Sequence, residues 1–178
     1  IERYGLLNII VLGETLLAAT VALRNVAVGA TDPAYIYIAL SALVILFAMW
    51  WLYFSEEDHL ESNDLRRAFA WAYGHFVIFA SGAAVGAGLA VMIDQVAQHS
   101  KVQPIVGTYA VAVPVALYML GLWFVRDRFL NDAVKYVLPI FAALVLLAPM
   151  TPLGVIAIAA VTAVSVIVRN HLARSSAP

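Results

Sequence analysis

Long apolar runs alternate with short polar segments along this chain. Four runs are clear, at residues 4–28, 35–54, 68–93 and 104–125. Each is long enough for a helix that crosses a hydrocarbon core about 30 Å thick, which takes about 20 apolar residues. Because these runs have no continuous polar face, the pattern predicts membrane-spanning helices and not a water-soluble core.

Two shorter apolar arms follow, at residues 136–149 and 152–168, and they flank Pro149 and Pro152. Prolines this close together end a helix and turn the chain. At about 1.5 Å per residue each arm barely crosses, so the pair is either a thin hairpin or a re-entrant loop. We predict an all-α polytopic membrane bundle of about six helices. It forms a single transmembrane domain over residues 1–178, as the C-terminal portion of a longer membrane protein.

Composition and charge agree with a membrane location and add an orientation. The chain is 64% hydrophobic and 12% charged, whereas soluble domains carry about 25% charged residues. Of the ten Lys and Arg residues, only Arg24 and Lys101 fall on one side of the predicted topology. The other side holds the rest and should be cytoplasmic, together with both ends of the segment.

Several function classes receive no support from the residues. The net charge is −1 and no basic stripe is present, so we expect no nucleic-acid partner. The chain has no cysteine, and no phosphate loop or metal-spaced cluster appears, so we expect neither a cofactor nor a metal site. These features argue against an enzyme, although an intramembrane catalyst can work with one carboxylate and one histidine. The acidic loop at residues 55–67 is either a solvated connector or a vestibule that collects cations.

Glu14 is the first candidate for chemistry, since it lies near the middle of the first apolar run. An ionised carboxylate at that depth is costly, so the group is either a neutral acid or is held by a cation, hydrogen bonds or water. Arg3, Leu7, Glu14, Ala18 and Asn25 form one helical stripe. We predict that this stripe faces the bundle interior and lines a proton or substrate path, with a packing and capping role as the alternative.

His75 is the second candidate, because it lies inside the third run at a depth close to that of Glu14. We hypothesise a Glu14–His75 pair in the bundle interior that exchanges a proton or faces a polar substrate. The alternative is a histidine bonded to a backbone carbonyl or a serine. Gly82 and Gly86 lie further along the same face, and with Gly88 in the same small-residue tract they predict close helix packing, with a flexible gate as the other interpretation.

Three ordered motifs resemble one known family. They are the segment of residues 2–14, the Trp50–Phe54 run, and Tyr73-Gly74-His75-Phe76 with the glycines that follow. They resemble the second half of the bacterial low temperature requirement A (LtrA) family, through about residue 93. Ser55 stands where the resemblance predicts an aspartate. The resemblance implies a bacterial inner-membrane protein connected with growth in the cold, and it implies no defined biochemical activity.

Three functions fit these observations. The first is a transporter or channel-like protein for a small solute or ion, with proton coupling through Glu14 and His75 as an additional hypothesis. The second is an intramembrane or lipid-modifying enzyme that uses the same two residues. The third is a non-catalytic membrane component of cold adaptation. The expected partners are the lipid bilayer, further transmembrane helices from a preceding half, and a second copy in a homo-oligomer.

Overall fold

A computed structural model describes residues 2–27, 32–55, 65–130 and 133–175, without the side chains of residues 18, 19, 22, 23, 25–27, 66 and 67. The described part is all helical, as predicted. The helices are α1 (Glu2–Ala27), α2 (Ala34–Phe54), α3 (Leu65–Val96), α4 (Pro104–Val125), α5 (Val134–Leu147) and α6 (Val155–Ser175). Short 3₁₀ turns lie at Asp127–Phe129 and Ala148–Met150.

Four of these helices, within the described residues, are long and apolar enough to cross a membrane. They are α2, the Ala68–Val96 part of α3, α4 and α6, with mean hydropathy from 1.8 to 2.2. The outer surface agrees with lipid contact, since large apolar side chains such as Phe47, Phe76 and Ile140 are exposed. The predicted helical membrane bundle is therefore confirmed.

The helices form a ring in the order α1, α3, α4, α5, α6 and α2, and α2 closes it against α1. Helix α2 also contacts α3 and α4 across the ring. The core contains fully buried side chains from five of the helices, α2 to α6. Examples are Ile45, Met49, Ile78, Leu89, Val115, Met119, Leu138 and Ile158.

The last two arms form a hairpin that runs along most of α4. Its turn ends at Gly154, which has a φ of +51° and lies beside Thr108 near the start of α4. Its returning helix brings Arg169 to Asp127, just after the end of α4. With the 3₁₀ turn included, α5 supplies about 27 Å of length. The arrangement matches the thin hairpin and not a loop that turns back halfway.

Proline inside α4 creates a close contact with α3. Pro114 has no N–H, so the carbonyl of Ala110, four residues earlier, lacks its helical donor. That carbonyl lies against Gly88, where a Cβ would collide with it. The missing side chain of Gly88 thus lets the two backbones meet beside the carbonyl that Pro114 leaves without its helical donor.

Candidate functional site

His75 lies in a buried aromatic cluster between α1, α2 and α3. The side chain is fully buried, and its Nδ1 lies 2.8 Å from the carbonyl oxygen of Trp71. The ring centroids of Trp71, Tyr4 and Phe79 lie 4.1, 4.9 and 5.7 Å from that of His75. This imidazole thus contacts a backbone carbonyl and aromatic rings, as the alternative interpretation of His75 expects.

The register of α1 on α3 separates Glu14 from His75. The two helices run parallel with a constant offset, because Tyr4 meets His75, Val11 meets Gly82 and Thr15 meets Gly86. Glu14 is thereby placed roughly ten residues beyond His75, or about 15 Å at 1.5 Å per residue. The hypothesised Glu14–His75 pair is wrong for this bundle, since the depths counted from flanking arginines ignored the actual register.

Glu14 also points away from the other helices. Its side chain is exposed, and so are those of Arg3 and Leu7 on the same stripe. The side chains of Ala18 and Asn25 lie outside the described residues. The prediction that this stripe faces the interior of the six-helix bundle is therefore wrong, because α1 packs through a different face.

The packed face of α1 carries neutral polar groups in place of the acid. Asn8 and Thr15 are fully buried, and Thr15 Oγ1 donates a hydrogen bond of 3.2 Å to the carbonyl of Gly82. A Cβ at Gly86 would lie 3.4 Å from the Cα of Thr15. Gly82 and Gly86 thus lie where α1 crosses α3, and Gly88 lies where α4 does.

A polar network that the sequence analysis missed lies at the bundle centre. Tyr118 of α4 is fully buried, and its hydroxyl lies 3.1 Å from Asn8 Nδ2 and 3.3 Å from the carbonyl of Met49. Since Asn8 donates to the hydroxyl, the hydroxyl hydrogen is free to bond the Met49 carbonyl. The network links α1, α2 and α4. The only signal in the sequence was an isolated Asn in an apolar run.

A second missed cluster ties α6 to the turn after α4. Asp127 and Arg169 are both fully buried. Arg169 Nε donates to Asp127 Oδ2 at 2.9 Å and Arg169 Nη2 to Asp127 Oδ1 at 3.0 Å, which is the bidentate geometry that suits a guanidinium. Arg169 Nη1 also donates to Ser55 Oγ at 3.0 Å. Ser55, where an aspartate was expected, is thus part of this cluster.

Arg126 joins the cluster to the end of α2. Its Nε donates to Asp127 Oδ1 at 2.8 Å, and its Nη atoms donate to the carbonyls of Leu52 and Tyr53. Those carbonyls lie in the last turn of α2, where a helix has unpaired acceptors and a partial negative charge. One cation therefore caps a helix and neutralises a buried acid.

The pKa of the Asp127 carboxyl is held below its ordinary value. Burial alone would raise this pKa, but the positive charges of Arg126 and Arg169 and the hydrogen bonds from both lower it by more. The carboxylate is therefore ionised at neutral pH. With two cations and one anion, the cluster keeps an excess positive charge at this end of the bundle.

No group of three or more His, Asp or Glu side chains within the described ranges comes close enough together to hold a metal ion. The polar side chains of the interior are instead paired with each other or with backbone. The arrangement of buried neutral and ion-paired groups inside an apolar exterior defines a multi-pass helical membrane protein.

The chain belongs to a known family. The family model described as Bacterial low temperature requirement A protein (LtrA) matches residues 1–170, which confirms the resemblance of the three sequence motifs. Neither a curated protein nor a solved structure matches the chain.

Proposed function

We propose that this LtrA-family membrane protein moves a small polar solute or ion along the exposed face of α1. The observation that carries the proposal is the exposed Glu14 in the middle of that face, among exposed Ile10 and Leu17. The membrane would be the bacterial inner membrane. The end that carries Arg126, Arg128 and Arg169 would be cytoplasmic, following the bias of basic residues.

The physical argument starts from the energy of a carboxyl group in lipid. A charged side chain at the centre of a membrane helix costs about 2.5–3.5 kcal/mol on insertion scales, so such residues normally face other helices or water. The exposed face of α1 would therefore meet further transmembrane helices, from another part of a longer protein or from a second copy. Glu14 would then lie at the seam, where a polar path could pass.

The packing of the bundle interior favours a transport path along the outer face of the bundle and not through its centre. Asn8 is bonded to Tyr118, and His75 is enclosed by aromatic rings. The separation of roughly 15 Å between Glu14 and His75 also does not favour an enzyme in which these two residues form one catalytic site. Transport with proton coupling at Glu14 alone is the simplest function that uses this acid.

Flux through liposomes tests the proposal. The natural full-length protein, wild type or Glu14→Gln, is reconstituted, and proton and K⁺ fluxes are followed with an internal pH dye and a K⁺ electrode. Glu2→Gln is the matched control, because Glu2 is also an exposed acid of α1 but lies at its first turn. We expect Glu14→Gln to lower either the proton or the K⁺ flux at least about tenfold, which corresponds to about 1.4 kcal/mol. We expect Glu2→Gln to keep the wild-type flux.

Two results would contradict the proposal. One is a wild-type protein that passes neither probe above the level of empty liposomes. The other is a Glu14→Gln protein whose flux and pH dependence match the wild type. Either result would favour a non-catalytic membrane component, in which Glu14 carries no proton or ion.

A further inference from the structure

A groove runs along the outer surface between α3 and α4. Its volume is about 490 Å³, within the range of roughly 300–1,000 Å³ of small-molecule sites. Its walls are almost entirely apolar and include Ala70, Val77, Leu120 and Phe124. An apolar ligand is therefore the chemistry that the walls accept.

Two glycines explain why the groove is there. At Gly74 a Cβ would collide with Val125, and at Gly121 a Cβ would lie 2.8 Å from Ile78 Cγ1. The helices approach closely at both points because these side chains are absent. Both glycines also line the groove, so the same absence leaves a trough on the outer surface.

One end of the groove lies near the basic end of the bundle. Phe124 lines it, and Arg128 lies one turn further along, with its Cζ 3.9 Å from the centroid of the Phe124 ring and 4.5 Å from that of Phe129. From Phe124 the lining extends to Leu117, which is about 10 Å deeper along α4. This length lies within one leaflet, whose hydrocarbon half is about 15 Å thick.

Arg128 differs from the two arginines that bind Asp127. Arg126 and Arg169 both bind Asp127, whereas Arg128 forms no ion pair within the described part of the chain and its buried Nε has no hydrogen-bond partner there. Its guanidinium is held by two aromatic rings through cation–π contacts. A positive charge fixed at the mouth of an apolar groove is complementary to an anionic group that carries an apolar chain.

We propose that the α3/α4 groove binds one acyl chain of an anionic phospholipid, with the headgroup phosphate at Arg128. The lipid's apolar chain follows the groove from Phe124 toward Leu117. The phosphate accepts hydrogen bonds from the guanidinium, which Arg offers in a planar fork suited to phosphate. The site is separate from the Glu14 face, so it does not depend on the proposed transport function.

Lipid retention tests the site. The full-length protein is purified in detergent, exposed to equal amounts of phosphatidylglycerol and phosphatidylcholine with matched acyl chains, and the bound lipids are quantified by native mass spectrometry. We expect the wild type to prefer phosphatidylglycerol and Arg128→Gln to reduce that preference about fivefold. Lys135→Gln is the matched control, since Lys135 is also a cation over an aromatic ring, Tyr136, outside the groove.

A second variant tests the groove itself. Ala70→Leu places a larger side chain in the groove, and we expect it to lower retention of both lipids; Ala70→Phe is a stronger version, used if the first stays monodisperse. Equal retention of both lipids by the wild type would overturn the proposal, as would a full preference in Arg128→Gln. A wild-type dimer that Ala70→Leu converts to a monomer with unchanged lipid retention would also overturn it, because the groove would then bind a second copy.

Discussion

The buried ion pair between Asp127 and Arg169 leads to the sharpest stability prediction. Asp127→Asn keeps the shape of the side chain but removes its charge, and its amide N–H₂ must face an arginine N–H. Asp127 accepts bonds of 2.8 Å from Arg126 and of 2.9 and 3.0 Å from Arg169. The substitution leaves the fully buried Arg169 without its carboxylate.

The expected loss follows from that geometry. Each hydrogen bond to a charged group contributes about 1.5–3 kcal/mol net, but the three share one carboxylate whose burial opposes its charge, so they are not additive. Removing one partner of a buried pair costs about 3–5 kcal/mol, because the other charge stays buried and unpaired. We expect Asp127→Asn to lower the free energy of unfolding by about 3–5 kcal/mol at pH 7.

The assay is reversible unfolding in mixed micelles by SDS titration, followed by circular dichroism. Asp94→Asn is the matched control, since Asp94 is exposed at the end of α3, and we expect it to change stability by less than about 0.5 kcal/mol. The double variant Asp127→Asn with Arg169→Met removes both buried charges. It should lose about 0.5–3 kcal/mol less than the two single losses added together. Additive losses, or an Asp127→Asn protein as stable as the control, would refute the reasoning.

Three further predictions concern the same cluster and the helix packing. Folding lowers the pKa of Asp127, so the ionised carboxylate stabilises the folded state above its ordinary pKa of 3.8, and this stabilisation is lost as the pH falls below that value. The wild type should therefore unfold more easily below about pH 4. Asp127→Asn should lose this pH dependence. Ser55→Asp adds a second carboxylate beside Arg169 Nη1, and we expect it to raise the SDS midpoint by an amount that corresponds to about 1 kcal/mol; an unchanged or lower midpoint would contradict this. Gly88→Ala should destabilise the bundle by about 1–3 kcal/mol through overpacking. Gly13→Ala is the control and should not destabilise it, because a Cβ there would meet nothing within 4 Å. Equal effects of the two variants in the same titration would show that the close contact between Gly88 and α4 is unimportant.

The membrane class and the bounds of two helices could be read closely from the sequence. The predicted runs at residues 35–54 and 104–125 match α2 and α4 almost residue for residue. This works because a lipid core requires about 20 consecutive apolar residues and internally bonded backbone, so hydropathy and length alone fix a spanning helix. The LtrA family could likewise be recognised, since its motifs are local in the chain.

The face that each helix turns inward could not be read in the same way. In water an apolar stripe marks the buried face, but in a membrane both the packed and the lipid-facing sides are apolar. α1 offers two polar stripes, one with Glu14 and one with Asn8 and Thr15, and its sequence does not rank them. Tertiary contacts with Tyr118 and Gly82 decide for the second.

The charged cluster also depended on the tertiary structure. Asp127, Arg169 and Ser55 come from three separate parts of the chain, and each by itself resembles an ordinary residue at a membrane boundary. The sequence by itself thus determined that lipid surrounds the protein, that the chain forms helices, and to which family it belongs, because these depend on composition and on neighbours along the chain. Only the packing of the helices decided which acid is paired and buried and which one, Glu14, is left on the outer face, because pairing requires residues distant in sequence to meet.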